Sequence, residues 1–118
     1  MINDPNAKLL RIFLGESDKY HQQPLYETIV FEAKKQSLSG ATVTRGIMGF
    51  GATSKIHTSK LFDISSDLPI IVEIVDTLEK INEFLKTVER LFEESNSGGL
   101  VTIEKAEVIR YLAAKNKL

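Results

Sequence analysis

The sequence predicts an α+β fold, a ferredoxin-like βαββαβ sandwich in which two helices cover one face of an antiparallel sheet. Two long segments with apolar residues at helical spacing alternate with short runs of β-branched and aromatic residues. The order of these segments is strand, helix, strand, strand, helix, strand. The 118 residues are enough to bury one hydrophobic core, so we expect a single domain over 1–118.

The first strand and the first helix occupy the N-terminal third of the chain. Residues 9–14 (LLRIFL) are of types that favour strands, and they end at a glycine. After a polar loop, Pro24 stands where proline suits the first turn of a helix, and the pattern predicts a helix over 24–37. Gly40 is expected to stop this helix, and a short second strand is expected over 41–44.

An extended loop, about 47–66, is expected to join the second strand to the third as a hairpin-like excursion, because it is rich in small and polar residues. The third strand, 69–75, is the most apolar of the chain. Asp76 with Glu79, or Thr77 instead, is expected to cap the second helix. The apolar positions that define this helix are Ile81, Phe84, Leu85, Val88, Leu91 and Phe92.

The C-terminal part begins with a turn that contains Gly98 and Gly99, which are expected to supply the helix C-cap. A final strand is predicted over 100–108. The tail, about 110–118, is expected to form a short helix. These elements complete the second half of the sandwich.

The two faces of the expected sheet are both apolar. One face carries Leu9, Phe13, Ile71 and Val75, and the opposite face carries Leu10, Ile12, Ile70, Val72 and Ile74. Because the helices cover one face only, a single chain would expose the other, and burying each such side chain is worth about 1.5–3 kcal/mol. We therefore expect a homo-oligomer; a monomer would need the tail to fold over the sheet. Glu73, on the uncovered face, is expected to pair with Arg11.

Composition and charge exclude several classes of protein. A net charge of −1 and a pI of about 6.1 supply no positive field for nucleic acid. The N-terminus has neither the basic start nor the apolar stretch of a signal peptide, and no apolar run approaches the roughly 20 residues of a membrane span. The absence of cysteine fits a reducing compartment, and we expect the protein in the cytoplasm.

Catalytic and metal-binding residues are not predicted. The two histidines, His21 and His57, have no cysteine and no carboxylate at ligand spacing, so no metal site is expected. Asp18 and His21 share the loop after the first strand and could form an acid–base pair in a small hydrolase. Nothing in the sequence orients them, and ordinary loop polarity is the favoured interpretation.

Several stretches of the chain resemble the PII signal-transduction proteins. These stretches are GATVT (40–44), GFG (49–51), HT (57–58), LPIIVEIV (68–75) and VIR (108–110). More closely, LRIFLGE (10–16), RGIMGFG (45–51) and the final strand resemble the PII-like family of uncharacterised prokaryotic proteins. The resemblance covers about residues 9–111.

The resemblance implies a regulatory protein rather than an enzyme. PII proteins are trimers with their sheets on the inside, which agrees with the oligomer expected from the apolar face. The implied effector is an adenine nucleotide bound between neighbouring subunits, with no other cofactor. The resemblance also implies that the loop after the second strand changes conformation to bind a partner, such as a transporter, a channel or an enzyme. The alternative is an interaction module that docks on a membrane transporter or channel without a ligand.

The resemblance also assigns ligand-binding residues. The glycine–aromatic–glycine at the loop base matches the place where backbone approaches the nucleotide, and the turn before the final strand matches a phosphate-binding turn. These glycines also have a purely structural interpretation. The loop-base glycines would permit a bulge at the edge of the sheet, and Gly98 and Gly99 would supply a helix C-cap and a turn. Arg45 and Arg110 are the phosphate candidates. The full set is Arg45, Gly49, Phe50, Gly51, Asn96, Ser97, Gly98, Gly99 and Arg110.

Two phosphate-binding cations of the PII pattern are missing from this chain. Gly99 stands where PII proteins have a lysine, and Leu112 stands where they have a second arginine. Charge-assisted contacts are worth about 1.5–3 kcal/mol each, so their loss weakens the binding of a triphosphate most. The loop is also shorter than its PII counterpart and lacks the tyrosine that is modified in some members.

Overall fold

The computed structural model describes residues 4–52, 56–58 and 67–115. Over these residues the chain forms the predicted α+β fold. In chain order the elements are β1 (Lys8–Gly15), β2 (Lys19–Tyr20), β3 (Gln23–Pro24), α1 (Leu25–Lys35), β4 (Thr42–Arg45), β5 (Met48–Gly49), β6 (His57–Thr58), β7 (Pro69–Asp76), α2 (Leu78–Ser95) and β8 (Leu100–Lys105).

The main sheet has the strand order β4-β7-β1-β8 in the described residues, and all of its neighbouring strands are antiparallel. At one end, Arg45 pairs with Ile70, which pairs with Leu14. At the other end, Leu9 pairs with Val75 and Glu104. The small pairs β2–β3 and β5–β6 lie outside this sheet. The β5–β6 pair confirms a hairpin at the start of the extended loop, whereas residues 53–55 and 59–66 lie outside the described residues.

Both helices pack on the same face of the sheet. In α1 the buried residues recur every four positions, and in α2 they follow the spacing that the sequence predicted, so each helix turns one apolar stripe to the sheet. The core consists of Leu10, Ile12, Leu14, Leu25, Ile29, Ala33, Ile70, Val72, Ile74, Ile81, Phe84, Val88 and Leu91. Neither helix of the described residues is apolar and long enough to cross a membrane.

The helix ends are set by different residues from those favoured in the sequence analysis. Thr77, the second candidate, caps α2: its hydroxyl accepts a hydrogen bond from the Lys80 N–H at 3.2 Å. Asp76 is buried instead, where its carboxylate accepts from the N–H groups of Ser39 and Thr77.

At the C-terminal end of α2, Asn96 takes the left-handed conformation (φ 54°), so the prediction of a glycine C-cap is wrong. Asparagine tolerates this conformation better than most residues, and none of the described glycines has a positive φ.

The uncovered face of the sheet, which we call the open face, carries a polar centre between two apolar ends. The predicted pair of Arg11 and Glu73 is confirmed, with Nε and Oε2 2.8 Å apart, and Glu104 Oε1 lies 2.5 Å from Nη1 of the same arginine. The hydrogen bond to Glu73 raises the pKa of Arg11, which stays charged. Apolar side chains flank this group at both ends of the sheet, as the alternation predicted: Leu9, Phe13, Ile71 and Val75 are all half-buried.

The tail does not form the predicted helix in its described part. The last strand ends at Lys105, earlier than predicted, and residues 106–114 have no regular structure. The Ala106 N–H donates to the Ala7 carbonyl at 3.0 Å, and the Tyr111 hydroxyl donates to the Ser39 carbonyl at 2.5 Å. Because Ser39 lies beside the opposite edge of the sheet, the tail crosses one end of the open face. This hydrogen bond holds the tail in an extended conformation instead of the predicted helix.

Candidate functional site

The base of the extended loop is packed against the first residue of β7. The Gly46 N–H donates to the Pro69 carbonyl at 2.7 Å. A Cβ at Gly46 would lie 2.7 Å from Pro69 Cγ, and a Cβ at Gly49 would lie 3.1 Å from it. A Cβ at Gly51, by contrast, would meet no atom of the described residues within 4 Å. Close packing therefore accounts for the first two glycines, and Gly51 leaves room for a ligand or for loop movement.

Arg45, at the end of β4, is held by a carboxylate. Its Nη2 lies 2.6 Å from Oε2 of Glu16, in the turn that follows β1. The side chain of Arg45 is 58% exposed and that of Glu16 is 30% exposed. An ion pair this open to solvent contributes at most about 1 kcal/mol to stability. A ligand anion could therefore compete with Glu16 for the guanidinium.

Two further carboxylates organise the same turn. Asp18 Oδ2 accepts from the Gly15 N–H at 2.9 Å, and Asp67 Oδ1 accepts from the Ser17 N–H at 2.7 Å. Burial raises the pKa of Asp18, the hydrogen bond from Gly15 partly opposes this, and the charge of Asp67 adds to the rise. Among the described residues, the carboxylates of Glu16, Asp18 and Asp67 therefore all contact groups at this end of the sheet.

Removing the charge of Asp18 should stabilise the protein at neutral pH. Because folding raises the pKa of this group, the native state holds its proton more tightly than the unfolded state. The stability that this carboxyl group contributes is therefore fully present below its ordinary pKa of 3.8. It is lost as the pH rises through the raised pKa of the folded state. Asp18→Asn keeps an acceptor for the Gly15 N–H and should be more stable than the native protein at about pH 7.

Chemical denaturation at about pH 7 and about pH 3 measures this effect. The gain should disappear at the lower pH, where the carboxyl is neutral. Glu83→Gln, on the exposed side of α2, is the control and should change stability little at either pH. A gain of equal size at both pH values would show that the charge of Asp18 is not its cause.

The turn between α2 and β8 is closed by hydrogen bonds at its start. The Asn96 N–H donates to the Glu93 carbonyl, and the Ser97 N–H donates to the Phe92 carbonyl, both at 3.1 Å. A Cβ at Gly99 would lie 2.7 Å from the carbonyl oxygen of Phe13 and 2.8 Å from the Phe92 ring. Gly99 therefore permits the close approach of this turn to β1.

Arg110 lies in the tail, beyond the strand on which the resemblance places its counterpart. It lines a cavity of about 660 Å³ between the tail and the open face. Within the described residues, Arg110 forms no ion pair or side-chain hydrogen bond. The cavity is lined by Leu9, Ser39, Gly40, Ala41, Thr42, Glu73, Val75, Ala106, Glu107, Val108, Ile109, Arg110 and Tyr111. A guanidinium that lines a mixed polar and apolar cavity and has no ion pair among the described residues is suited to contact an anionic group.

One chain does not bring the predicted ligand residues together. Arg45 and the loop base lie at the β4 edge, and the Asn96–Gly99 turn lies at the β8 edge of the same sheet end. Three strand spacings, about 14 Å, separate these edges. Arg110 lies at the opposite end, near Leu9. The candidates therefore form three separate groups.

Other candidate chemistry finds no support in the geometry. Asp18 and His21 form no hydrogen bond with each other: the carboxylate bonds Gly15, and the His21 ring lies edge-on to Tyr20 with centroids 4.4 Å apart. Tyr20 in turn donates to Glu94 at 2.7 Å, which raises its pKa. Across the described ranges no cluster of three or more histidine or carboxylate groups could hold a metal ion.

Sequence reasoning missed two residues that shape these groups. Glu16, the partner of Arg45, is 29 positions away from it in the chain, so no local pattern links them. Tyr111, which anchors the tail, is an aromatic residue in a mainly polar tail, and this was the signal available for it.

The fold of the molecule is the one found in PII-like proteins. A solved structure of CPII, a nitrogen regulatory PII-like protein from Thiomonas intermedia K12 bound to ADP, AMP and bicarbonate, matches with a TM-score of 0.66 and 20% identity, covering 88% of this chain and 89% of CPII. A phage SAM lyase in complex with S-methyl-5′-thioadenosine matches less well, with a TM-score of 0.50 and 13% identity over 89% of this chain and 84% of the lyase. The fold alone thus also occurs in an enzyme.

The chain belongs to the family described as DUF190, Uncharacterized ACR, COG1993, whose family model matches residues 7–108. A relative from Aquifex aeolicus (strain VF5), a UPF0166 protein, is 43% identical over 102 residues, which are 86% of this chain and 92% of the relative. The predicted resemblance to PII-like proteins is thereby confirmed at the level of family and fold.

Proposed function

We propose that this protein is a regulatory protein that binds an adenine nucleotide between neighbouring copies of the chain and signals to a partner through the extended loop. In this proposal the chain forms one domain over 1–118, assembles as a trimer and acts in the cytoplasm. The observation that carries the proposal is the open face of the sheet, whose apolar side chains a single chain leaves partly exposed.

Among the described residues, no element covers the end of the open face that carries Phe13, and two of the ligand groups lie at this end. Phe13 pairs with Ile71 on one side and with Leu100 on the other, and Leu100 is 56% exposed. The tail covers the opposite end, near Leu9 and Val75. Association through the Phe13 end would bury this apolar patch and would bring a second copy close to the loop base and to the Asn96–Gly99 turn.

The adenine nucleotide is proposed because CPII, which shares the fold, is described as bound to ADP and AMP. Within the ranges that the structure describes, Arg110 forms no ion pair, and no atom lies within 4 Å of where a Cβ would stand at Gly51 in the loop base or at Gly98 in the turn after α2. Residues from separate groups, drawn from neighbouring copies, would complete one site. No residue is assigned a catalytic role.

The extended loop has the surface expected of a docking element. Its described part exposes large apolar side chains that the fold does not use: Ile47, Met48, Phe50 and Ile56, each 57–78% exposed. Clustered exposed apolar residues are typical of interaction sites. A nucleotide at the loop base would favour one loop conformation over others and so alter this surface for a transporter, channel or enzyme.

A thermal-shift experiment with AMP, ADP and ATP tests the nucleotide. A ligand that binds only the folded protein raises its stability by RT ln(1 + [L]/Kd), so we expect a clear rise in Tm at millimolar concentrations. Arg110→Gln should reduce the shift, and Lys86→Gln, on the outer surface of α2, should leave it unchanged. Adenosine serves as the control ligand without phosphate.

Two outcomes would contradict the proposal. One is the absence of stabilisation by every nucleotide at millimolar concentration. The other is a folded single copy in sedimentation velocity at micromolar concentration, because no cleft between copies would then exist.

The second candidate function is an interaction module that needs no ligand. The exposed apolar residues of the loop favour it, since they suit docking whether or not a nucleotide is present. This candidate predicts that an isolated partner binds with the same affinity with and without nucleotide, whereas the proposed regulator should bind with different affinities.

A further inference from the structure

The ion pair between Glu16 and Arg45 joins the turn after β1 to the base of the extended loop. Nη2 and Oε2 are 2.6 Å apart, and both side chains are accessible to solvent. We propose that Glu16 determines the charge specificity of the nucleotide site: it occupies Arg45 and so disfavours nucleotides with many phosphate charges. This inference rests on the proposed function.

The neighbouring carboxylates do not compete for Arg45. The Asp18 carboxylate accepts from the Gly15 N–H and the Asp67 carboxylate accepts from the Ser17 N–H, so each bonds the backbone at or just after the end of β1. Glu16 alone among these three carboxylates reaches the guanidinium. Among the described residues, Glu16 compensates the charge of Arg45, so this guanidinium offers a polyphosphate less attraction than a guanidinium without a carboxylate partner would.

The turn at the other edge of the same sheet end carries no cation of its own. Residues 95–100 contain no lysine or arginine, and Glu93 and Glu94 precede them. A nucleotide placed between these edges would thus meet Arg45 as the nearest guanidinium on the described loop base. Every added phosphate would increase the repulsion from Glu16 unless that carboxylate moved away.

This arrangement predicts an order of affinity. In the native protein AMP should bind at least as tightly as ADP, and ADP should bind more tightly than ATP. Glu16→Gln removes the negative charge and frees Arg45 for a charge-assisted contact with phosphate. The variant should therefore gain most for ATP, roughly tenfold in Kd, and less than about threefold for AMP.

Isothermal titration of each nucleotide, without divalent cations and at fixed ionic strength, measures these constants. The variants are Glu16→Gln, Arg45→Gln and the double substitution, with Glu83→Gln as the control because that carboxylate lies on α2 and pairs with Lys86. Glu16→Gln is expected to increase the affinity for ATP through the guanidinium of Arg45. We therefore expect this increase to be at least threefold smaller when Arg45 is also replaced.

The outcomes separate this inference from the function on which it rests. If the native protein binds nucleotide but Glu16→Gln changes all three constants equally, or not at all, Glu16 does not set charge specificity. The same conclusion follows if the full gain persists with Arg45 replaced. If neither the native protein nor any variant binds a nucleotide, the proposed function itself is wrong.

Discussion

Replacing Phe84 by alanine is expected to lower the free energy of unfolding by about 3–5 kcal/mol, a large part of the stability of a small domain. Phe84 lies on the sheet-facing stripe of α2 and has no exposed surface. Its removal loses the transfer free energy of the ring and leaves a cavity that neighbours on a rigid sheet fill only in part. Urea or guanidinium denaturation at constant protein concentration measures the loss.

Phe31→Ala is the matched control, because it makes the same change on the other helix. The Phe31 side chain is 61% exposed, so its removal should change stability by less than about 0.5 kcal/mol. Losses of similar size in the two variants would show that burial against the sheet does not distinguish them. In that case the layer order described above would be wrong.

Replacing Gly99 by alanine is expected to lower the free energy of unfolding by about 1–3 kcal/mol. The added Cβ would lie 2.7 Å from the carbonyl oxygen of Phe13, on a strand that is paired on both sides. That oxygen cannot withdraw without disturbing the sheet, and the Phe92 ring blocks the other direction at 2.8 Å. Chemical denaturation again provides the measurement.

Gly98→Ala is the control for Gly99, since both glycines lie in the same turn and neither has a positive φ. A Cβ at Gly98 would meet no atom within 4 Å, and the expected change is within about 0.5 kcal/mol. If both variants lost the same unfolding free energy, glycine would be needed at these positions for backbone freedom and not because of the close contacts at Gly99. Packing otherwise suffices to explain why a glycine stands at position 99.

The elements with strong apolar patterns were predicted well. The strand at 69–75 was found within one residue of its expected bounds, the second helix begins after one of its two expected caps, and the Arg11–Glu73 pair followed from alternation alone. The weakly patterned elements were less accurate. The tail is not helical in its described part because the Tyr111 hydrogen bond to Ser39 outweighs a weak local preference.

The candidate site was predictable in its parts but not in its arrangement. The loop-base glycines and the turn after α2 are recognisable in the sequence, yet the strand order places them at opposite edges of the sheet. The distance between them depends on the pairing of β7 and β1 between these edges. The local sequence of neither segment predicts this distance.

The sequence by itself determined the order of helices and strands and the two faces of the sheet, because hydrophobic spacing along a chain acts locally. Only the tertiary structure decided that Glu16 occupies Arg45, that Gly99 lies against β1 and that the tail crosses one end of the open face. These contacts join segments far apart in the chain. They follow from the packing of the whole sheet, which no single stretch of residues specifies.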